Sequence, residues 1–195
     1  MELKQRHYSV LLVSAQPRFN ESLSALIAER RHYEQELETS VSGAKRRLLE
    51  REFDFIIINA PLPDNDGVKL ATDRSSGSGC AVLLLVGSDY YARIFDKVCP
   101  YGVYTLAKPS PRQLVTQAFD WLESTRERLL RVEKKSATLE DKMQEIRLVN
   151  RAKWLIIEKN SMTEEEAHHA IEKLAMDKCV PKRTIAEQII RNGGI

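Results

Sequence analysis

Proline and glycine are missing from the whole run between Arg112 and Lys159, so no residue there breaks a helix. At a rise of about 1.5 Å per residue, an uninterrupted helix from Pro111 to Asn160 would reach roughly 70 Å. A compact domain of this size needs no such element, and the run is read as joining two unequal domains within the 195 residues. Excess charge is also scarce: 30 basic residues against 28 acidic leave a net of +2, so no strong attraction to a polyanion follows from net charge alone and any nucleic-acid surface must be local. The three cysteines, Cys80, Cys99 and Cys179, are odd in number and far apart. They form neither a disulfide framework nor a metal-ligand spacing, and a reducing, cytoplasmic setting is the simplest reading. The start, MELKQRHYSV, has no apolar signal core, and no run is long enough to span a membrane.

The long run carries mostly apolar residues at alternating spacings of four and three: Ala118, Leu122, Thr125, Leu129, Val132, Ser136, Leu139, Met143, Ile146 and Asn150. Several heptads of this kind predict a coiled-coil seam whose main contacts are Leu122, Leu129, Val132, Leu139, Met143 and Ile146. In a parallel homodimer the flanking charges pair Arg128 with Glu133 and Lys135 with Glu140, while Lys142 meets Arg147 repulsively. Thr125 and Ser136 are weak knobs. A polar Asn150 in the seam fixes register at some cost in stability. The alternative is an amphipathic helix packed on its own chain.

Before that helix, strand and helix alternate. Tyr8–Ser14, Glu34–Glu38, Asp54–Asn59, Ala81–Val86 and Val103–Leu106 read as strands. Helices are expected from Arg18 to Arg30, over a segment ending near Arg51 that carries Leu48 and Leu49 inward, and through Tyr91, Ile94 and Val98. The Ser- and Gly-rich run from Leu70 to Cys80 reads as a flexible loop. This order predicts a doubly wound parallel sheet with its functional residues at the carboxyl ends of the strands.

The segment DFIIINAPLPDNDG, a following strand that ends at Gly87-Ser88, and then LAKPSPRQL resemble the receiver domain of bacterial response regulators, in order and spacing, over roughly residues 6–123. The resemblance implies a flavodoxin-like fold and a cis peptide between Lys108 and Pro109. It also implies a phosphoryl-accepting aspartate at the end of the third strand, with an acidic pair after the first strand to hold magnesium. Here Asn59 stands at the acceptor position; Ser14, Ala15 and Gln16 replace the acidic pair; Val86 takes the threonine position and Thr105 the aromatic one. An amide supplies neither the nucleophile nor the hard-cation ligand. Gln16, Asn59, Val86 and Lys108 are therefore expected to form a degenerate pocket that takes no phosphate and holds no metal. Asp64 and Asp66 are read as turn residues, although phosphorylation of Asp66 would be the conventional alternative.

The carboxyl-terminal part breaks into three helices. Thr163-Glu164-Glu165-Glu166 is a capping box, Pro181 suits a helix start and Asn192-Gly193-Gly194 a helix end. The stretch RAKWLIIEKNSMTEEEAHHAIEKLAMDKCVPKRTIAEQII, Arg151 to Ile190, resembles an ANTAR domain, the RNA-binding antitermination module of certain response regulators. Ala152-Lys153, Leu155-Ile156, Ala175-Met176 and Ile185-Ala186 carry the likeness; Trp154 departs from it, where glycine is common. The resemblance implies a non-enzymatic dimer, without cofactor, that binds paired stem-loops in messenger RNA leaders and prevents a terminator hairpin. Candidate RNA contacts are Arg147, Asn150, Arg151, Lys153, Lys178, Lys182, Arg183 and Thr184: bases fix the phosphate backbone, and planar groups stack on unpaired nucleobases. Glu172 and Lys173 read as solvated surface. His168 and His169, adjacent on a helix, point apart and make no metal site.

The sequence thus predicts an α/β receiver-like domain over 1–123, a coiled-coil linker helix over 112–150 and an all-α three-helix RNA module over 139–195. Control would come from a regulatory protein partner, a ligand or expression level. A coiled-coil scaffold that sequesters partners without RNA is the alternative, and DNA binding is disfavoured because no basic recognition helix is evident.

Overall fold

The computed structural model describes residues 6–30, 32–77 and 79–194. The chain divides into two compact units, Met1–Val132 and Glu133–Ile195.

In the first unit five parallel strands lie in the order β2-β1-β3-β4-β5. They are β1 (Tyr8–Val13), β2 (Tyr33–Glu38), β3 (Phe55–Asn59), β4 (Ala81–Gly87) and β5 (Tyr104–Lys108). The helices between them are α1 (Pro17–Ala28), α2 (Val41–Glu50), α3 (Val68–Gly77) and α4 (Tyr91–Val98). Successive side chains of β1, β3 and β4 point to opposite faces, and both faces are covered, which is why their sequences are unbroken apolar runs. One face packs Leu11, Val13, Ile56, Ile58, Val82 and Leu84 with residues of α2 and α3. The other packs Val10, Leu12, Phe55, Ile57, Leu83 and Leu85 against Leu23, Ile27, Val115, Ala118, Phe119 and Leu122. Lys108–Pro109 is cis, as the receiver likeness implied, and so is Ala60–Pro61.

Two expectations fail here. The Ser-rich run read as a loop is helical through Gly77; only Ser78, within it, lies outside the described residues. Its hydroxyls do not compete with the helix, because Thr72 and Ser76 donate back to the carbonyls of Lys69 and Thr72, and Ser75 to that of Tyr101. Leu70 and Ala71 then supply the buried face. Leu49, expected to point inward, is 85% exposed, whereas Leu48 is buried.

Helix α5 runs without interruption from Arg112 to Asn160. Its first turns belong to the receiver-like unit. Arg30 bridges Asp120 and Glu123 of this helix, Tyr33 donates to Glu123, and Tyr8 donates to Glu127. Leu122 is fully buried in the sheet-facing core, and the Thr125 hydroxyl bonds that of Tyr104 at 2.7 Å. This corrects the predicted seam: Leu122 has a covering already, and a partner helix cannot reach it. Leu129 is half-buried, while Val132, Leu139, Met143 and Ile146 are all more than half exposed.

In the second unit, Ala152 and Ile156 of α5 share a core with Ala167, Ile171 and Ala175 of α6 (Glu164–Asp177) and with Ile185, Ala186 and Ile189 of α7 (Lys182–Asn192). The capping box forms reciprocally: the Glu166 N–H donates to Thr163 Oγ1, and the Thr163 N–H donates to Glu166 Oε2. Pro181 is the residue before α7 rather than its first, and Gly193 closes the helix in the left-handed region at φ 70°.

Candidate receiver pocket and nucleic-acid interface

Asn59 closes β3 with no exposed surface. Its Nδ2 donates to Ser14 Oγ at 3.0 Å and to Gln16 Oε1 at 3.3 Å, while its Oδ1 accepts from Lys108 Nζ at 2.6 Å. Lys108 also donates to the Ala60 carbonyl. Of the four residues predicted for this pocket, Gln16, Asn59 and Lys108 thus meet directly. Val86 is buried in the core on the α3 side of the sheet. Burial lowers the Lys108 ammonium below the ordinary lysine range, because no carboxylate stands beside it to favour the charge. Thr105 is buried too, and its hydroxyl has no hydrogen-bond partner among the described residues.

Neither loop aspartate replaces the missing carboxylates. Asp64 accepts from the Val41 and Ser42 N–H groups, each at 2.9 Å, and so caps the start of α2. Those two backbone bonds lower its carboxyl to about 2. Asp66 Oδ1 accepts from the Val68 N–H at the start of α3. The donor set around Asn59 is neutral, consisting of a hydroxyl, two amides and a carbonyl. A magnesium ion, which dehydrates reluctantly and is held through carboxylates, does not fit it.

Within the second unit, α5, α6 and α7 enclose a cleft of about 240 Å³. Ile146, Val149, Asn150 and Lys153 line it from α5, together with the acidic Glu145, and His168 lines it from α6 and Lys182 from α7. The first four lie at helical intervals of three, one and three and therefore share a face. Three predicted RNA contacts, Asn150, Lys153 and Lys182, come together here. Arg147 and Arg151 are exposed on α5 outside the lining. Lys178 donates to Gln188 Oε1 at 3.4 Å, and Arg183 pairs with Glu187 at 3.1 Å. The Thr184 amide is already bonded to the Pro181 carbonyl. That bond leaves its N–H no free hydrogen for a phosphate oxygen.

Both lysines of the cleft are held by carboxylates. Lys153 Nζ is 2.8 Å from Glu164 Oε1, and Lys182 pairs with Glu172. The Lys182 hydrogen bond holds Glu172 below the usual carboxylate range, against a small upward push from burial. His168 and His169 approach the same carboxylate at 3.2 and 3.6 Å. Glu172 is thus an organising acceptor rather than a free surface charge, and the two imidazoles converge on it instead of pointing apart. His168 and Glu172 were missed as site residues, although their spacing of four on a predicted helix was a visible signal. Trp154 stands 71% exposed on α5 and offers a planar apolar face.

Two features define the class of protein: a receiver-like sheet, and a separate helical unit whose cleft gathers amide, imidazole and ammonium groups. Residues 137–190 match the ANTAR domain, so the chain joins a receiver-like domain to an ANTAR domain, the architecture of an ANTAR response regulator. It is 25% identical over 141 residues to the transcriptional regulatory protein PdtaR of Mycobacterium tuberculosis, covering 72% of this chain and 69% of the relative. Among solved structures, the signal receiver domain of an HD domain-containing protein from Pseudomonas fluorescens superposes with a TM-score of 0.57 at 24% identity, over 69% of this chain and 96% of that one. A CheY-like receiver domain from Methylobacillus flagellatus gives 0.51 at 17% identity, over 60% and 98% respectively. These structures establish the flavodoxin-like fold. The ANTAR match and the likeness to PdtaR support a transcription antitermination regulator that binds RNA. No helix among the described residues is long and apolar enough to cross a membrane.

Proposed function

We propose that the chain binds paired stem-loops in nascent messenger RNA as a parallel homodimer, preventing formation of a terminator hairpin, and that it does so without receiver phosphorylation. The observation that carries this reading is the convergence of Asn150, Lys153, His168 and Lys182 on one cleft floored by Ile146 and Val149. Sequence-specific RNA recognition targets bases splayed from loops, which need an apolar or planar seat, hydrogen-bonding groups and nearby cations. The cleft supplies all three. Its ion pairs hold Lys153 and Lys182 in place, and an incoming phosphate would displace Glu164 and Glu172 from them.

The exposed heptad residues Val132, Leu139 and Ile146, with Met143, support the dimer. Ile146 belongs to both seam and cleft, so two paired chains would carry two clefts beside the seam, as two hairpins require. Phosphorylation independence rests on Asn59, whose amide is not a nucleophile, and on the carboxylate-free donor set around it. A regulatory protein partner or a ligand would then set the activity.

The test is titration of the full chain with paired-hairpin RNA, a single hairpin and a plain duplex at two salt concentrations. Tight, salt-sensitive binding to the paired hairpins is expected, lost at least tenfold in a Lys153→Ala/Lys182→Ala variant that keeps its helical circular dichroism. Equal weak binding to all three RNAs would overturn the proposal.

A further inference from the structure

A second cleft, of about 300 Å³, opens in the receiver-like unit where the carboxyl ends of β3 and β4 meet α4. In open α/β sheets this is the edge at which ligands bind, and the volume falls at the small end of the range for small-molecule sites. Pro61, Val68, Val86 and Ile94 give it apolar walls. Its rim on α4 is cationic: Arg93 and Lys97 lie four residues apart on the same helix, and both line the opening. Like charges at this spacing repel. No carboxylate lies within ion-pair distance of either among the described residues; the one recorded contact of the Arg93 guanidinium is with the ring of Tyr90, 5.6 Å from its centroid. Tyr90 is itself more than half exposed and lines the same opening.

We propose that this cleft binds a small organic monoanion with a flat apolar body, of the aromatic carboxylate class. The body would occupy the space between Pro61, Val86 and Ile94, beside the Tyr90 ring. The carboxylate would lie against Arg93 and Lys97, where a planar guanidinium matches it bidentately and where its charge relieves the repulsion between the two cations. Asp66 also lines the cleft and repels a second negative charge, which favours a monoanion. Inorganic phosphate is a poor fit, because it would leave the apolar walls uncovered. The cleft adjoins the degenerate pocket through Ala60, whose side lines the cleft and whose carbonyl accepts from Lys108. An occupant is therefore placed to shift the Asn59–Lys108 contact, the position at which a receiver ordinarily senses its phosphoryl group. This assignment is independent of the RNA reading.

The experiment is a titration of the full-length chain with naphthoate, neutral naphthamide and inorganic phosphate, followed by amide chemical-shift changes and by calorimetry. Saturable binding of one naphthoate is expected, with shifts centred on Ala60, Val86, Gly87 and Ile94. Naphthamide and phosphate should bind at least tenfold more weakly. Arg93→Ala/Lys97→Ala, two exposed positions whose loss leaves the core untouched, should weaken naphthoate at least tenfold, and Ile94→Trp should block it. Equal affinity for naphthoate and naphthamide, unchanged binding in the double variant, or shifts spread evenly over the surface would each overturn the proposal.

Discussion

Arg126 of α5 donates through Nε to Asp54 Oδ1 at 2.8 Å, and both side chains are only 12% exposed. The same guanidinium reaches the Gly79 carbonyl through Nη1. Asp54 stands just before β3, so this contact ties the long helix to the middle of the sheet.

Arg126→Ala should cost the receiver-like unit about 2 kcal/mol, between the values for exposed and buried pairs, because Arg6 remains on the same oxygen at 3.2 Å. Burial pushes the Asp54 carboxyl up, but the Ser9 N–H, Arg126 and Arg6 outweigh it and hold the group below its ordinary value. A lowered carboxyl stabilises the fold above its unfolded pKa of about 3.9 and loses that contribution as pH falls through its folded value. Urea midpoints at pH 7 and pH 3 should therefore differ more in the parent chain than in Arg126→Ala. An equal difference would count against the pair.

Cys80 is buried, and burial pushes its thiol up to about 12, whereas Cys99 and Cys179 are exposed. Thiolate is the reactive form. Alkylation of the native chain should label two thiols quickly and the third only after denaturant is added, as read by intact mass.

Leu122 and Leu139 occupy the same heptad pattern but different surroundings, being fully buried and 61% exposed. Leu122→Ala should cost roughly 2–5 kcal/mol of receiver stability through the cavity it leaves. Leu139→Lys should barely change thermal stability, yet should shift the sedimentation of the chain toward monomer. If both variants behave alike, the division of α5 between core and seam is wrong.

Asn59→Asp restores a carboxylate beside Ser14 and Gln16 but not the acidic pair that would hold magnesium. Incubated with a small phosphodonor and magnesium, both this variant and the parent should keep their intact mass. A phosphoryl adduct on the parent would reinstate Asp66 as the acceptor and remove phosphorylation independence from the proposed function.

The sheet was legible because β1, β3 and β4 are buried on both faces and so write themselves as apolar runs. The capping box at Thr163 was legible for a similarly local reason, being fixed by a few neighbouring residues, whereas the cis bond before Pro109 was implied only by the receiver likeness. Helix α3 was not legible, because the cover that Leu70 and Ala71 find against the sheet holds a run of weak helix formers in a helix. Leu122 illustrates a deeper limit: heptad spacing reports that a side chain seeks apolar cover, but not whether its own sheet or a second chain provides it. His168 and Glu172 escaped notice because a balanced acidic and basic surface reads as solvent-facing until tertiary packing brings Lys182 of α7 onto α6.

Strand β2 lies at one open edge of the sheet, and its sequence, YEQELE, is the most polar of the five strands. Glu36 and Glu38 pair with Arg47, and Glu34 and Glu36 with Arg51. A second chain seeking to extend the sheet there would have to bring three glutamates against three glutamates and break the arginine pairs as well. Charged edges of this kind discourage strand-to-strand stacking between copies. That charged border thereby guards one edge of a sheet rich in aggregation-prone apolar strands.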